Sequence, residues 1–274
     1  MVMDLINNRN RDNYIVETAL LGQGLYSIDD IELEQQWPNN KKNLVWFLEG
    51  KLKIGSIKDF IIYRKKSKEE KWPRIDQENL ERACNEGWNG LITASGAMAI
   101  ADKRKYRIVV TAGMGGIDAL KSRRMSRDLV ALTKFNIILL STSPKDMLDI
   151  EDTIKWLMKR KVKVFGYKKN YCNGFIFKRD EVPLSGIYDN EVLYSEDIKN
   201  GLLILNGICE ENRIEDKRVL QEAVHNAQIE CSKSGHFHPL VNKDIDIATK
   251  GTSSRLQLKA LIDNITIAER MQIR

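Results

Sequence analysis

Short apolar runs alternate with longer segments of helical period along most of this 274-residue chain. This alternation is typical of α/β domains, in which strands form a central sheet and helices cover its faces. The apolar runs predict strands over residues 14–18, 44–48, 51–54, 107–112, 136–141, 163–167 and 202–206. The segments between them predict helices over residues 57–66, 77–86, 91–101, 124–133, 147–160 and 190–200.

The last part of the chain, residues 217–274, has a different pattern. It contains no convincing strand, and its apolar residues recur at spacings of three and four, as at Leu256, Ala260 and Leu261. We expect this segment to form a helical layer that packs against the sheet. Because no linker rich in proline, glycine or serine interrupts the chain, we predict a single domain over residues 1–274.

The charge and hydropathy of the chain disfavour two classes of partner. The 44 Lys and Arg residues outnumber the 38 Asp and Glu residues, but the charges are interspersed, which disfavours nucleic-acid binding. The longest uncharged stretch, residues 87–101, is broken by glycines and is shorter than the roughly 20 apolar residues of a membrane-spanning helix. The N-terminus lacks the pattern of a secretory signal. We therefore expect a cytoplasmic protein with neither a nucleic-acid nor a membrane partner.

The cysteines and histidines do not form a recognisable site. We interpret four widely spaced cysteines as free thiols: Cys84, Cys172, Cys209 and Cys231. His225 lies in a helical run and is expected on the surface. His236 and His238 have no cysteine or acidic partner at ligand spacing, so we predict no metal there.

Ligands of open α/β sheets bind at the carboxyl ends of strands, and three predicted strand ends carry unusual residues. The first ends at Glu17, which is either a catalytic acid or an exposed turn residue. The second ends in the glycine loop of residues 111–116, whose backbone N–H groups could hold an anion. A tight turn without a ligand would show the same glycines, because the loop matches neither a Walker A motif nor a full dinucleotide fingerprint.

The third strand end carries Lys145. Pro144 suits the first position of a helix, so we predict that Lys145 lies at a helix N-terminus. The positive end of a helix dipole would lower the pKa of its ammonium group, as a nucleophilic amine requires, although a solvated lysine is the alternative. A basic cluster, residues 121–124 with Arg127, follows the glycine loop and suits either anion binding or a solvated helix face.

Taken in order, these strand ends resemble the pseudouridine-5′-phosphate glycosidase family over most of the chain, from about Tyr14 to the final helix. The resemblance rests on Glu17-Thr18, Asn89-Gly90-Leu91-Ile92-Thr93, Thr111-Ala112-Gly113-Met114-Gly115-Gly116, Ser126-Arg127-Asp128-Leu129, Pro144-Lys145-Asp146-Met147-Leu148-Asp149, Phe165-Gly166-Tyr167 and Asp263-Asn264. It implies a three-layer α/β/α fold with a mixed central sheet and a C-terminal helical layer. It also implies a homotrimer.

The resemblance also implies a mechanism. It places a nucleophilic lysine on Lys145 and a proton-donating glutamate on Glu17. In the family's chemistry the amine attacks C1′ of the ribose, the ring opens, and a Schiff base holds the sugar while the C–C bond to the base breaks. The implied substrate-binding residues are Arg74, Ala94, Thr111, Gly113, Gly115, Gly116, Arg124, Ser126, Arg127, Asp128 and Gln257.

Several positions depart from the family pattern, including the stretch Asn206-Gly207-Ile208-Cys209, where the family usually has Asn-Pro-Ile-Pro. The aspartate that would bind manganese falls on Arg124, so we predict no certain metal cofactor. A substrate-contacting lysine falls on Arg74, a histidine near the site on Asp118, and an asparagine on Gln257.

These departures leave more than one function open. The leading hypothesis is a C-glycosidic bond lyase for a ribose 5-phosphate C-nucleoside, with a small-molecule sugar phosphate and a base as its partners. One alternative is the synthetic direction, in which ribose 5-phosphate is joined to another carbon nucleophile. Another is a catalytically silent homologue that binds a sugar phosphate.

Overall fold

A computed structural model gives the fold of residues 13–119, 124–194, 196–234 and 237–274, without the side chains of residues 231–238. The strands, numbered in chain order, are β1 (Tyr14–Val16), β2 (Leu44–Leu48), β3 (Lys51–Gly55), β4 (Arg74–Ile75), β5 (Gly90–Ile92), β6 (Ile108–Val110), β7 (Gly113–Met114), β8 (Ile117–Asp118), β9 (Ile138–Ser141), β10 (Ser143–Pro144), β11 (Leu148–Asp149), β12 (Lys163–Tyr167), β13 (Tyr171–Cys172), β14 (Val182–Pro183), β15 (Gly186–Tyr188) and β16 (Leu202–Leu205).

The central sheet of the described residues has the strand order β15-β12-β16-β9-β6-β1-β2-β5-β4, and β3 pairs with β2. In this order, every neighbouring pair from β15 to β2 is parallel. On the other side of β2, both β3 and β5 run antiparallel to it. The sheet is therefore mixed. Because β1, β6 and β9 are adjacent and parallel, their carboxyl ends meet at one edge of the sheet.

Alternation along the buried strands places the core on both faces of the sheet. Tyr14 and Val16 of β1 belong to one apolar cluster, and Ile15 belongs to the other. The same alternation holds in β9, where Leu139 faces the side opposite to its two neighbours Ile138 and Leu140. Successive side chains of a strand point to opposite faces, so both faces need a covering layer.

Helices supply these two layers. They are α1 (Ala19–Gln23), α2 (Asp30–Gln36), α3 (Ile57–Glu69), α4 (Leu80–Asn85), α5 (Ala94–Arg104), α6 (Arg127–Lys134), α7 (Ile150–Lys159), α8 (Lys217–Ser234), α9 (Phe237–Ala248) and α10 (Thr252–Arg270), with a 3-10 turn at Glu210–Asn212. The apolar faces of α5, α6 and α7 join one cluster, and those of α1, α3, α8, α9 and α10 join the other. The three-layer fold with a C-terminal helical layer is thus confirmed.

Several helices begin at a side chain that caps them. Ser56 and Asp59 form a reciprocal capping box at the start of α3. The side chains of Thr93, Ser126 and Asp149 accept backbone N–H bonds at the starts of α5, α6 and α7. These caps fix the residues at which α5 and α6 begin. The first residues of both helices line the cavity described below.

Some sequence predictions are wrong. Residues 190–200 do not form a helix in their described part, because Leu193 instead exchanges backbone hydrogen bonds with Gln272 and Arg274 near the C-terminus. The helix predicted from residue 91 begins at Ala94, since Gly90–Ile92 forms β5 against β2. The short helices α1 and α2 were not predicted.

The loops that follow β6 and β9 pair with each other. β10 runs parallel to β7, and β11 runs antiparallel to β8. Pro144 therefore lies in a short strand, and the next helix begins at Ile150. Lys145 lies between β10 and β11, so the prediction that it occupies a helix N-terminus is wrong.

The predicted cysteines and histidines fall partly within the described residues. Cys84, Cys172 and Cys209 are free thiols, as predicted. His225 is exposed on α8, also as predicted. Cys231, His236 and His238 have side chains outside the described part of the chain. None of the described helices is both long and apolar enough to span a bilayer.

Candidate active site

A cavity of about 280 Å³ opens where the carboxyl ends of β1, β6 and β9 meet. It is lined by Glu17, Ala19, Leu20, Gly24, Arg74, Asp76, Thr93, Ala94, Ser95, Thr111, Gly113, Gly115, Ser126, Arg127, Asp128, Lys145, Asn242 and Gln257. Both predicted catalytic residues and nine of the eleven predicted substrate-binding residues are in this set. Segments that are distant in the sequence therefore converge on one space.

Glu17 lies directly after β1 and is buried, with 6% of its surface exposed. Its Oε1 accepts a hydrogen bond of 3.0 Å from the Thr111 hydroxyl, and its Oε2 accepts one of 3.1 Å from the backbone N–H of Ala19. Burial raises the pKa of Glu17, while the charge of Lys145 and the bond from Thr111 oppose that rise. Glu17 is therefore suited to keep and donate a proton.

Lys145 faces the same cavity from the loop between β10 and β11. Its backbone N–H donates to the carbonyl of Met114, which fixes the loop. Its Nζ has no hydrogen-bond or ion-pair partner in the described part of the chain. Burial lowers the pKa of Lys145 and the charge of Arg74 lowers it further, whereas Glu17 and Asp128 act in the opposite direction. The predicted direction of the shift holds, but desolvation replaces the helix dipole as its main cause.

Asp128 is locked by backbone groups of two different elements. Its Oδ2 accepts from the N–H of Gly115 at 2.8 Å, and its Oδ1 accepts from the N–H of Ser95 at 3.0 Å. These bonds tie the glycine loop to the starts of α5 and α6. A Cβ on Gly115 would lie 2.0 Å from the Ser126 hydroxyl, so only glycine allows this close approach.

The charged part of the cavity contains groups that suit an anion, beside the carboxylates of Asp76 and Asp128. The first turns of α5 and α6 both border it, at Thr93, Ser95 and Ser126, and helix N-termini attract negative charge. Arg74 adds a guanidinium, oriented by a bond of 3.2 Å from its Nε to Gln23 Oε1. Arg127 also lines the cavity, although its guanidinium pairs with Glu78 at 2.7 Å.

Two predicted binding residues do not line the cavity. Gly116 lies behind the wall, where a Cβ would meet the Thr153 hydroxyl at 2.5 Å. Arg124 is exposed, and its carbonyl accepts from the Asp118 N–H. The rest of the predicted basic cluster, residues 121–123, lies outside the described residues.

The metal position implied by the family resemblance does not fit a divalent cation. A guanidinium such as that of Arg124 carries no lone pair available to a metal. Both carboxylate oxygens of Asp128 are engaged by backbone N–H groups. The described residues contain no group of three His, Cys, Asp or Glu side chains that could hold an ion.

Sequence reasoning missed four polar residues of the cavity. Asp76, Thr93 and Ser95 follow β4 and β5, two short strands that carry a weak apolar signal. The fourth, Asn242, lies on α9 far along the chain and has no local motif. Thr93 belongs to a motif quoted above for the family resemblance, and its position as the N-cap of α5 explains why it lies at the cavity.

Comparisons with known proteins give a consistent family. A sequence profile described as indigoidine synthase A like protein matches residues 37–273. The pseudouridine-5′-phosphate glycosidase of Petrotoga mobilis is 23% identical to this chain, over 93% of this chain and 89% of its own length. The enzyme of that name from Clostridium botulinum is 25% identical, over 82% and 78%.

Two solved structures share the fold. One is an indigoidine synthase A-like protein from Thermotoga maritima, with a TM-score of 0.77 at 20% identity, covering 95% of this chain and 93% of that one. The other is the prealnumycin C-glycosynthase AlnA in complex with ribulose 5-phosphate, with a TM-score of 0.74 at 20% identity, covering 94% and 89%.

Proposed function

Because the chain belongs to the indigoidine synthase A-like family, we propose that it is an enzyme that cleaves the C–C glycosidic bond of a ribose 5-phosphate C-nucleoside. The names of its relatives support this class of substrate, since they are called pseudouridine-5′-phosphate glycosidases. The observation that carries the proposal is that Lys145 and Glu17 share one cavity. Burial shifts the pKa of each toward its neutral form.

The substrate phosphate would bind at the charged part of the cavity, near Arg74 and the first turns of α5 and α6. A guanidinium and the positive end of a helix dipole both attract a phosphate. The ribose ring would then lie between this part and the strand ends that carry Glu17 and Lys145. A sugar held there is kept from bulk water, which strengthens its interactions with the charged groups.

The neutral amine of Lys145 would attack C1′. As the C1′–O4′ bond breaks, O4′ takes a proton from Glu17, and the resulting carboxylate recovers a proton from the attacking nitrogen. Cleavage of the C–C bond to the base then leaves its electron pair on the base carbon, which takes the proton from Glu17. The nitrogen lone pair forms the C1′=N bond, and water releases ribose 5-phosphate from this Schiff base.

Borohydride trapping tests this function. Incubation with ribose 5-phosphate and sodium borohydride should add the mass of one reduced sugar phosphate to the peptide that contains Lys145, and Lys145→Ala should remove it. An adduct on another lysine, or none in the wild type, would contradict the Schiff base. A protein that binds ribose 5-phosphate without any adduct would instead be a silent binder.

The synthetic direction is a second candidate, in which ribose 5-phosphate is joined to a carbon nucleophile. One specific observation favours it: AlnA, which shares the fold, is a C-glycosynthase. Robust cleavage of pseudouridine 5′-phosphate would make the synthetic role unnecessary. A homotrimer and a cytoplasmic location remain predictions from the family resemblance and the sequence.

A further inference from the structure

Asp146, the residue that follows Lys145, has a buried carboxylate outside the lining of the cavity. Its Oδ1 accepts from the Phe175 N–H at 2.8 Å. Its Oδ2 accepts from the N–H groups of Ile176 and Phe177, at 2.8 and 3.2 Å. One side chain thus satisfies three successive backbone donors of a loop that is remote in the chain.

The carboxylate binds these donors best when it is ionised, because a charged acceptor forms the stronger hydrogen bonds. Burial raises the pKa of Asp146 to about 6, while the three N–H groups and the charge of Arg179 oppose that rise. The ionised form therefore predominates at pH 7. An asparagine would keep the size of the side chain but replace one acceptor by an N–H donor, so at least one backbone N–H would lose its partner.

The loop bound by Asp146 is also held by the segment that precedes α8. Arg213, which is 6% exposed, donates to the Asn173 carbonyl and to Asn173 Oδ1, the latter at 2.9 Å. The Ile214 N–H donates to the Ile176 carbonyl at 2.9 Å. The loop is therefore tied to two parts of the fold, and Asp146 is anchored to a fixed support.

The backbone of Lys145 is tied to the glycine loop as well. Its N–H donates to the Met114 carbonyl at 3.1 Å. The two loops contact each other, because a Cβ on Gly113 would lie 2.7 Å from the Phe175 ring. The Asp146 anchor thus completes a set of contacts that fixes the point from which the flexible lysine side chain extends.

We propose that Asp146 is a positioning residue for Lys145, and that its anchor to residues 175–177 holds the lysine backbone where the amine can reach C1′ of the sugar. Attack requires the reacting atoms to lie about 3–3.5 Å apart, and a displacement of about 1 Å can lower a rate by about a hundredfold. The inference rests on the proposed function, because it requires Lys145 to be the nucleophile.

Kinetics and binding separate this role from a general effect on the cavity. Asp146→Asn should lower kcat for pseudouridine 5′-phosphate by about a hundredfold and leave KM within twofold, because the carboxylate lies outside the cavity. The rate of borohydride trapping of Lys145 at saturating ribose 5-phosphate should fall by the same factor. In a Lys145→Ala background, which prevents Schiff-base formation, Asp146→Asn should keep the calorimetric dissociation constant of ribose 5-phosphate within twofold.

Two matched controls account for charge and for stability. Asp180→Asn removes an exposed carboxylate shortly after the anchored loop and should leave kcat unchanged. Leu33→Ala removes buried side-chain volume from α2, so it should lower the thermal unfolding temperature and keep kcat near the wild-type value. If Asp146→Asn does not fold, Asp146→Glu keeps the charge, and its longer side chain should lower kcat by about tenfold at constant KM.

The outcomes separate this inference from the function on which it rests. Wild-type kcat in a folded Asp146 variant would overturn the positioning role. A rise in KM or weaker ribose 5-phosphate binding that accounts for the whole loss would also overturn it, since the substitution would then act on the cavity. An equal loss of kcat in Leu33→Ala would do the same, since stability alone would explain it. Absence of any Lys145 adduct in the wild type would instead contradict the proposed function, and this inference with it.

Discussion

Two cavities of similar size open at strand ends of the same sheet, but the lysine and the carboxylate of interest in each differ in their exposure to water. The candidate active site, of about 280 Å³, contains the buried Glu17 and Asp128 and the partly buried Lys145. The second cavity, of about 260 Å³, lies beside the ends of β12 and β16. Its Lys259 and Asp263 form an exposed ion pair of 2.7 Å on α10.

The difference shows that a position at a strand end does not by itself remove a charged group from water. An exposed ion pair is screened by water and contributes little, typically under about 1 kcal/mol. In the first cavity, burial shifts the pKa of both Glu17 and Lys145. The pKa shifts therefore depend on the helices α1, α5, α9 and α10, which surround the strand ends and reduce their contact with water. The edge of the sheet alone would not produce them.

The buried residue Asn264 contacts residues that line each of the two cavities. Asn264 of α10 donates to the Thr111 carbonyl at 2.8 Å and to the Thr142 hydroxyl at 3.2 Å. It accepts from Asn206, which lines the second cavity, at 3.1 Å. The Asn264 side chain thus ties together the segments that follow β6, β9 and β16.

The largest expected difference in turnover is between substitutions of the two lysines, one in each cavity. Lys145→Ala should reduce turnover of pseudouridine 5′-phosphate by at least about a thousandfold, because it removes the proposed nucleophile. Lys259→Ala should change turnover by less than twofold. Steady-state kinetics of both variants checks this contrast, and a similar loss in both would erase the distinction between the cavities.

The carboxylates give the next contrast. Glu17→Gln keeps the size of the side chain but cannot donate or recover a proton, so kcat should fall by about 10²–10⁴-fold. Asp263→Asn, in the second cavity, should keep kcat near the wild-type value. A fully active Glu17→Gln variant would remove Glu17 from the mechanism.

Asn264→Ala should affect the first cavity by displacing its lining residues, since Asn264 does not itself line the cavity. The change leaves the Thr111 carbonyl and the Thr142 hydroxyl without this partner, so the free energy of unfolding should fall by about 1–3 kcal/mol. We expect a fall in kcat of about tenfold at a nearly constant KM. Denaturant unfolding and kinetics measure the two effects, and a loss of stability with wild-type kcat would limit Asn264 to folding.

The smallest effect concerns pH. Burial raises the pKa of Glu17 and lowers that of Lys145, so kcat/KM should depend on pH through both groups, in a bell-shaped profile. Thr111→Val removes a hydrogen bond that lowers the pKa of Glu17. One flank should therefore move to higher pH. A flank that moves to lower pH would contradict the assigned role of this bond.

Much of the fold and part of the site could be predicted from local sequence. The apolar strand runs identify β1, β2, β9, β12 and β16, because a strand buried on both faces needs apolar residues throughout. Glu17, the glycine loop and Lys145 stand out because they interrupt such runs at their carboxyl ends. Their proximity follows from the parallel pairing of three adjacent strands.

The failed predictions share a physical cause. Lys145 was assigned to a helix because proline often begins one, but pairing of β10 with β7 takes Pro144 into a strand. Residues 190–200 carry a helical pattern, yet hydrogen bonds to the distant C-terminus compete with it. In both cases a contact between segments remote in sequence overrides a local preference.

The sequence by itself determined the alternating layers, the apolar strands and the acid, amine and glycines at their ends, because these depend on residue type and periodicity. The tertiary structure alone decided which of those groups lose contact with water and which amides of the helical layer face them. It did so because desolvation depends on the whole set of elements that covers a residue. For Glu17, that cover comes from α1, which follows it directly in the chain, and from α9 and α10, which lie more than 200 residues later.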